Sequence, residues 1–168
     1  RTRDGGRFST RRVIAMQDGE AILHMECGFH APEAGFEHAV PIPPDVPAPE
    51  TLKDLRAISA DLGMKLPDWV RRYWGGLSSA VEFRPVAPAS YLRSDGPMPR
   101  RRLWVRVASG AGADLDAQNC LLCYLSDYSL AATAALPHID ALPGPELFLV
   151  SLDHAIWFHR PVDTSDWL

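Results

Sequence analysis

The chain has 168 residues, 46% of them hydrophobic, and a net charge of −4. That content supports a packed core in one ordinary domain or two small ones and argues against a disordered chain. The acidic balance argues against wholesale nucleic-acid binding, and no apolar run reaches the roughly 20 residues of a membrane span. Cys27, Cys120 and Cys123 make an odd count without framework spacing, which points to reduced thiols in a cytosolic protein. Cys120 and Cys123 form a C-x-x-C pair within an apolar run. With no second Cys/His pair nearby, they read as buried structural thiols rather than a zinc or redox site. No secretory signal is visible. Both ends read as cut from a longer sequence.

Residues 7–30 predict a β-hairpin turning at Asp18-Gly19. Ala21, Leu23, Met25, Cys27 and Phe29 alternate with Glu20, His24, Glu26 and His30, so one face should be buried and the other wetter. Two strands are not stable alone, and further members of the sheet are expected before Arg1. Residues 31–50 carry prolines at 32, 41, 43, 44, 47 and 49 and read as a stiff, extended connector. Residues 51–62 place Leu52, Leu55, Ile58 and Leu62 near helical spacing, and "DWVRRYWGG" adds another turn or two before Gly75-Gly76.

Two strands are predicted next, "AVEFRPV" ended by Pro85 and "RRLWVRVAS", with "SDGPMP" as a loop between them. Asp114 or Asp116 can cap a helix of about 20 residues that runs to Pro137. Leu121, Leu125, Tyr128, Ala132 and Ala135 form its stripe. Leu122, Cys123, Leu130, Ala131 and Ala134 widen that stripe enough to predict burial on most sides. "ELFLVSLDHAIWFHRP" then has the length and composition of a long strand. The order of elements predicts an α+β fold in which a sheet curls around a helix.

The last strand raises the functional question. With period two, Asp153 shares a face with Ser151, Ala155, Trp157 and His159. Val150, Leu152, His154, Ile156 and Phe158 take the greasier face, which is expected against the helix. Asp153 and His154 therefore do not form a ready dyad. His159 lies roughly 20 Å along from Asp153 on an extended strand. His154 and His159 do not converge on one metal, so no metal site is expected. What remains is one carboxylate that needs partners from other segments. Bonding to backbone donors or pairing with an arginine is the plain alternative to a catalytic role.

These residues resemble the acyl-CoA thioesterase II family. "LDHAIWFHRP" is similar to its D-H-x-x-W-F-H-R-P segment, "RDGGRFSTRRV" (3–13) to its R-D-G-x-x-F-x-x-R-R-V strand, and "APEAGFEH" (31–38) to its A-P-E-A-G-F-E-H loop. "VEFRPV" (81–86) and "LLCYLSDYSLAATAALPH" (121–138) follow in the family's order. The resemblance implies a double hotdog, in which each repeat is a curved antiparallel sheet wrapped around a long central helix. Residues 1–31 would be the last strands of the first repeat, 32–80 the linker, and 81–168 the first part of the second repeat. It implies hydrolysis of fatty acyl-CoA to free CoA and a carboxylic acid, with the thioester as substrate and no cofactor. It also implies a cytoplasmic homo-oligomer assembled through hotdog sheets.

The family's catalytic set is an aspartate, a threonine or serine, and a glutamine that hold the attacking water. The aspartate falls on Asp153. The resemblance puts the other two on later strands, beyond Leu168. Thr164 and Gln118 lie outside the matching segments and are not assigned those roles. Asp153 is the expected base, improved by an apolar setting near Trp157. No G-x-S-x-G motif offers a nucleophile, so direct attack by water is expected. Arg11-Arg12, Arg71-Arg72 and Arg100–Arg102 are candidates for the CoA phosphates. The rival readings are a hotdog enoyl-CoA hydratase, which would need His154 rotated onto the face of Asp153, and a catalytically incomplete acyl-CoA-binding or assembly segment.

Overall fold

Asp18 and Gly19 both adopt left-handed backbone, with φ of 51° and 85°. Consecutive positive values make the tight turn that Asp-Gly favours between two strands. The structure, a computed structural model, describes residues 2–62, 80–91, 100–141 and 149–168. They fall into two compact units divided between Ile42 and Pro43.

The first unit is an antiparallel sheet of β1 (Arg3–Asp4), β2 (Phe8–Gln17) and β3 (Glu20–His30), in that order. The hairpin is the predicted one, with Val13 opposite Met25 and Ser9 opposite Phe29. A third member of the sheet was expected before Arg1, and the structure supplies one inside the chain, Arg3–Asp4 against Ser9–Thr10. The alternation also holds as geometry, but its energetic reading fails. Leu23 is 51% exposed and Phe29 53%, and no described residue of this unit is buried.

The second unit holds the core. A 3-10 turn (Pro49–Thr51) leads into α1 (Leu55–Leu62), shorter than the predicted 51–62. Asp54 sets the start of α1: its Oδ1 accepts from the Arg56 N–H at 2.8 Å, satisfying one of the helix's orphan donors. Leu55 and Ile58 are buried, as their spacing predicts. The second helical turn predicted near 68–76 and the loop at 94–99 lie outside the described residues.

The two predicted central strands are present as β4 (Val81–Pro85) and β5 (Leu103–Val107), paired antiparallel with Val81 opposite Val107 and Phe83 opposite Val105. Val81, Phe83 and Val107 join Leu55, Ile58 and Leu125 in the core. The opposite face pairs Glu82 with Arg106, whose Nε donates to Glu82 at 2.8 Å. Arg84 and Arg106 place their guanidinium carbons 4.8 and 4.2 Å from the centre of the Trp167 ring. Trp167 also donates to Glu50 at 3.1 Å.

Three expectations need correction. The long helix is broken into α2 (Leu115–Asp127) and α3 (Leu130–Ala134), followed by a 3-10 segment (Leu136–Ala141). Polar side chains compete for its carbonyls at the break. Ser126 Oγ donates to the Cys123 carbonyl at 2.8 Å, and the Thr133 hydroxyl donates to that of Ser129 at 2.6 Å. Asp114 caps the start, as expected, by accepting from the Ala117 N–H at 2.9 Å.

The helix is also less buried than its composition implies. Leu121, Leu125 and Tyr128 face the core, with the Tyr128 ring 4.7 Å from that of Phe83, whereas Leu115 is 52% exposed. The cysteines follow suit: all three are free, but Cys120 is exposed and Cys27 and Cys123 only half-buried.

The third correction concerns residues 149–160, which run without strand pairing. The reason lies in the sheet edges. Val105 and Leu168 exchange two backbone bonds of 3.1 and 3.0 Å, and the Val107 N–H donates to the Thr164 carbonyl at 2.7 Å. On the far side of β4, the Phe83 N–H donates to Asp54 Oδ2 at 3.3 Å. At these positions both edges are already satisfied, so the expected strand has no ladder to join.

This packing gives α2 one working face. Leu125→Ala should cost about 2–5 kcal/mol in denaturant unfolding, because it opens a cavity beside Phe83 and Tyr128. Leu115→Ala, on the exposed face, should stay within roughly 0.5 kcal/mol of the parent.

Candidate active site

The segment 149–168 crosses α2 in the direction opposite to the helix and touches it near both helix ends. At the C-terminal end, Ser151 Oγ donates to Asp127 Oδ1 at 2.9 Å, and His154 Nε2 lies 3.1 Å from Ser126 Oγ. At the other end, the Thr164 hydroxyl and backbone N–H both donate to Gln118 Oε1, at 2.7 and 2.9 Å. Gln118 Nε2 donates in turn to the Gly110 carbonyl at 3.0 Å and to Asp163 Oδ1 at 3.3 Å.

Asp153 lies between these attachments. It is exposed, and no hydrogen bond or ion pair engages its carboxylate among the described residues. Neither form of the plain alternative is present among the described residues: no described backbone donor holds it and no described arginine neutralises it. The apolar setting expected around it is also missing, since Trp157 is 73% exposed. His154 turns to Ser126 on the helix, so the structure does not bring Asp153 and His154 together as a dyad. His159 is exposed and does not join them. Among the described residues no cluster of three or more His, Cys, Asp or Glu side chains could hold a metal ion.

Gln118, Thr164 and Asp163 do bring a carboxamide, a hydroxyl and a carboxylate within hydrogen-bond reach of one another. This group was not legible in the sequence, because Gln118 and Thr164 are 46 residues apart and no motif joins them. Its chemistry is closure rather than catalysis. Both Gln118 amide hydrogens and both Oε1 acceptor sites are used, and Thr164 is fully buried. No valence of the carboxamide is left to hold a substrate water. Gly110 belongs to the same group: a Cβ there would sit 2.8 Å from Thr164 Oγ1, so only glycine admits the hydroxyl.

The basic candidates divide in the same way. Arg11 is paired with Asp4 and Arg102 with Asp45. Arg12 Nη2 lies 3.5 Å from the His24 ring, and Arg100 is exposed. Arg71-Arg72 lies outside the described residues.

The profile of the acyl-CoA thioesterase family matches residues 78–168, which include every side chain of this site. The chain belongs to the acyl-CoA thioesterase family. It is 33% identical to acyl-coenzyme A thioesterase 8 of Homo sapiens over 176 aligned residues, covering 100% of the chain and 54% of that protein. Identity to acyl-CoA thioesterase 2 of Haemophilus influenzae is 31%, covering 98% of the chain and 57% of that protein. The crystal structure of an acyl-CoA thioesterase II from Mycobacterium marinum superposes with a TM-score of 0.72 at 29% identity, over 99% of the chain and 56% of that structure. This thioesterase-family chain thus spans about half the length of the relatives it matches. Its antiparallel sheets and helices make the α+β, hotdog-type fold expected from the sequence. Among the described residues no helix is long and apolar enough to cross a membrane.

Within this thioesterase-family chain, the acidity of Asp163 is shifted by its neighbours. Its carboxyl is held below the ordinary 3.8, first by the Ser165 hydroxyl, then by the Ser165 N–H, with Gln118 adding to both. A carboxyl whose folded value is lowered stabilises the fold above its unfolded value, and that stability is lost as pH falls through the folded one. The stability difference between the parent and Asp163→Asn should therefore be constant near neutrality and shrink only below 3.8. Chemical denaturation at a series of pH values, followed by tryptophan fluorescence, measures it.

Proposed function

We propose that the protein hydrolyses fatty acyl-CoA thioesters, with Asp153 as the base that activates water. The observation that carries this reading is a carboxylate that no described residue bonds or ion-pairs, inside the family-matched region, on a segment tied to α2 on either side of it. An exposed carboxylate without a protein donor keeps its acceptor sites for water. Asp153 spends none on a described residue.

In the proposed reaction, Asp153 accepts a proton from water as the oxygen attacks the thioester carbonyl carbon. The tetrahedral intermediate then collapses, the C–S bond breaks, and CoA leaves as a thiolate that takes up the proton held on Asp153, which restores the carboxylate. The products are a carboxylic acid and free CoA, with no redox change and no cofactor beyond the substrate itself. The engagement of His154 with Ser126 speaks against the hydratase reading, which needs His154 beside the acid.

Residues 1–31 and 81–168 are taken as parts of two hotdog repeats joined by 32–80. The protein is taken as cytoplasmic and as a homo-oligomer formed through its sheets.

In the full-length protein, Asp153→Asn should lower acyl-CoA hydrolysis by about 10²–10⁴-fold, the usual contribution of a positioned base. Release of free thiol from a series of acyl-CoA chain lengths measures this, with circular dichroism confirming an unchanged fold. Turnover equal to the parent would remove Asp153 from the chemistry.

A further inference from the structure

We infer that Ser126 and Asp127, in the last turn of α2, are positioning residues for the Asp153 carboxylate; this rests on the reading of Asp153 as the base. Ser151 and His154 flank Asp153 in the chain. Ser151 Oγ donates to Asp127 Oδ1 at 2.9 Å, and His154 Nε2 meets Ser126 Oγ at 3.1 Å. Adjacent residues on a helix point about 100° apart, so Ser126 and Asp127 grip the passing chain from two directions. Two bonds placed on either side of one residue fix the local path of its backbone. With no ladder bonds at 149–160, these are the side-chain contacts that orient Asp153.

The proton arrangement supports positioning rather than a nucleophilic role for Ser126. A hydroxyl has one hydrogen, and the Cys123 carbonyl 2.8 Å away can only accept it. Ser126 Oγ is therefore left to accept from His154 Nε2–H. A serine whose proton goes to a helix carbonyl, and whose oxygen takes a bond from the imidazole, is not being deprotonated by that imidazole. The contact instead holds the histidine on the helix side, away from Asp153. Asp127 likewise serves as an acceptor, and its role needs an oxygen rather than a charge.

The test compares Ser126→Ala, Asp127→Ala, Ser151→Ala, Asp127→Asn and Asp153→Asn in the full-length protein. Loosening the base should lower kcat by about tenfold to a hundredfold in Ser126→Ala and Asp127→Ala, since misplacement by about 1 Å costs on that scale. KM should stay within about threefold, because the lost interaction acts in the transition state. Asp127→Asn keeps an acceptor for Ser151 and should recover most of the rate. The double variant Asp127→Ala/Ser151→Ala should be no slower than either single one, as expected for two ends of one bond. If Asp153→Asn is inactive while Ser126→Ala and Asp127→Ala keep the parental kcat, the positioning role is refuted and the base survives. Failure of Asp127→Asn to recover rate, with a matching fall in melting temperature, would show a structural role only. Parental activity in Asp153→Asn would overturn the base and its positioning together.

Discussion

One carboxamide fixes the geometry of the second unit. Gln118 sits in the first turn of α2, buried, and uses both hydrogens and both acceptor sites on Gly110, Asp163 and Thr164. Leaving even one buried polar group unsatisfied costs about 1–3 kcal/mol, so the four bonds stand or fall together. Through them the end of the segment is docked against the start of the helix. Thr164 and Leu168 then complete the free edge of β5, and the Trp167 ring packs on the guanidinium groups of Arg84 and Arg106. The close approach at Gly110 makes room for the Thr164 hydroxyl. A side chain in the 110 position would disrupt a network that spans much of the sequence.

The same constraint keeps the segment around Asp153 off the sheet. Once Thr164 and Leu168 occupy β5, residues 149–160 cannot extend the sheet there, and the segment is left attached by side chains to the helix. The Ser151 and His154 contacts take up polar groups on either side of Asp153 and leave its carboxylate open to solvent. Elsewhere in the unit, Arg84 and Arg106 engage Glu82 and the indole of Trp167, and Arg102 engages Asp45. These ion pairs hold the connector and the sheet.

Local chemistry was legible from the residues. Asp18-Gly19 dictated the hairpin, Asp114 the start of α2, and the alternation around Phe83 and Val105 the central strand pair. What was not legible depended on distance. The burial predicted for Leu23, Met25 and Phe29 depends on what covers that face, which period-two patterning cannot supply. The apolar breadth of residues 121–135 suggested one continuous buried helix, yet the Ser126 and Thr133 hydroxyls bond the Cys123 and Ser129 carbonyls on either side of a break after Asp127. Residues 146–161 have strand composition, but strand formation needs a free edge, and that edge was claimed by Thr164 and Leu168. The Gln118–Thr164 clasp left no local signal at all. Asp153 was singled out through resemblance. Its pattern alone identified a carboxylate in need of partners, and none of the described residues supplies one.

The most direct measurement is a crystal structure of the full-length protein with a non-hydrolysable thioether analogue of acyl-CoA. The account predicts a water within hydrogen-bond distance of the Asp153 carboxylate and in line with the carbon that replaces the thioester carbonyl, with Ser151 and His154 still held by Asp127 and Ser126. An Asp153 carboxylate ion-paired with an arginine, with the analogue bound away from it, would contradict the account.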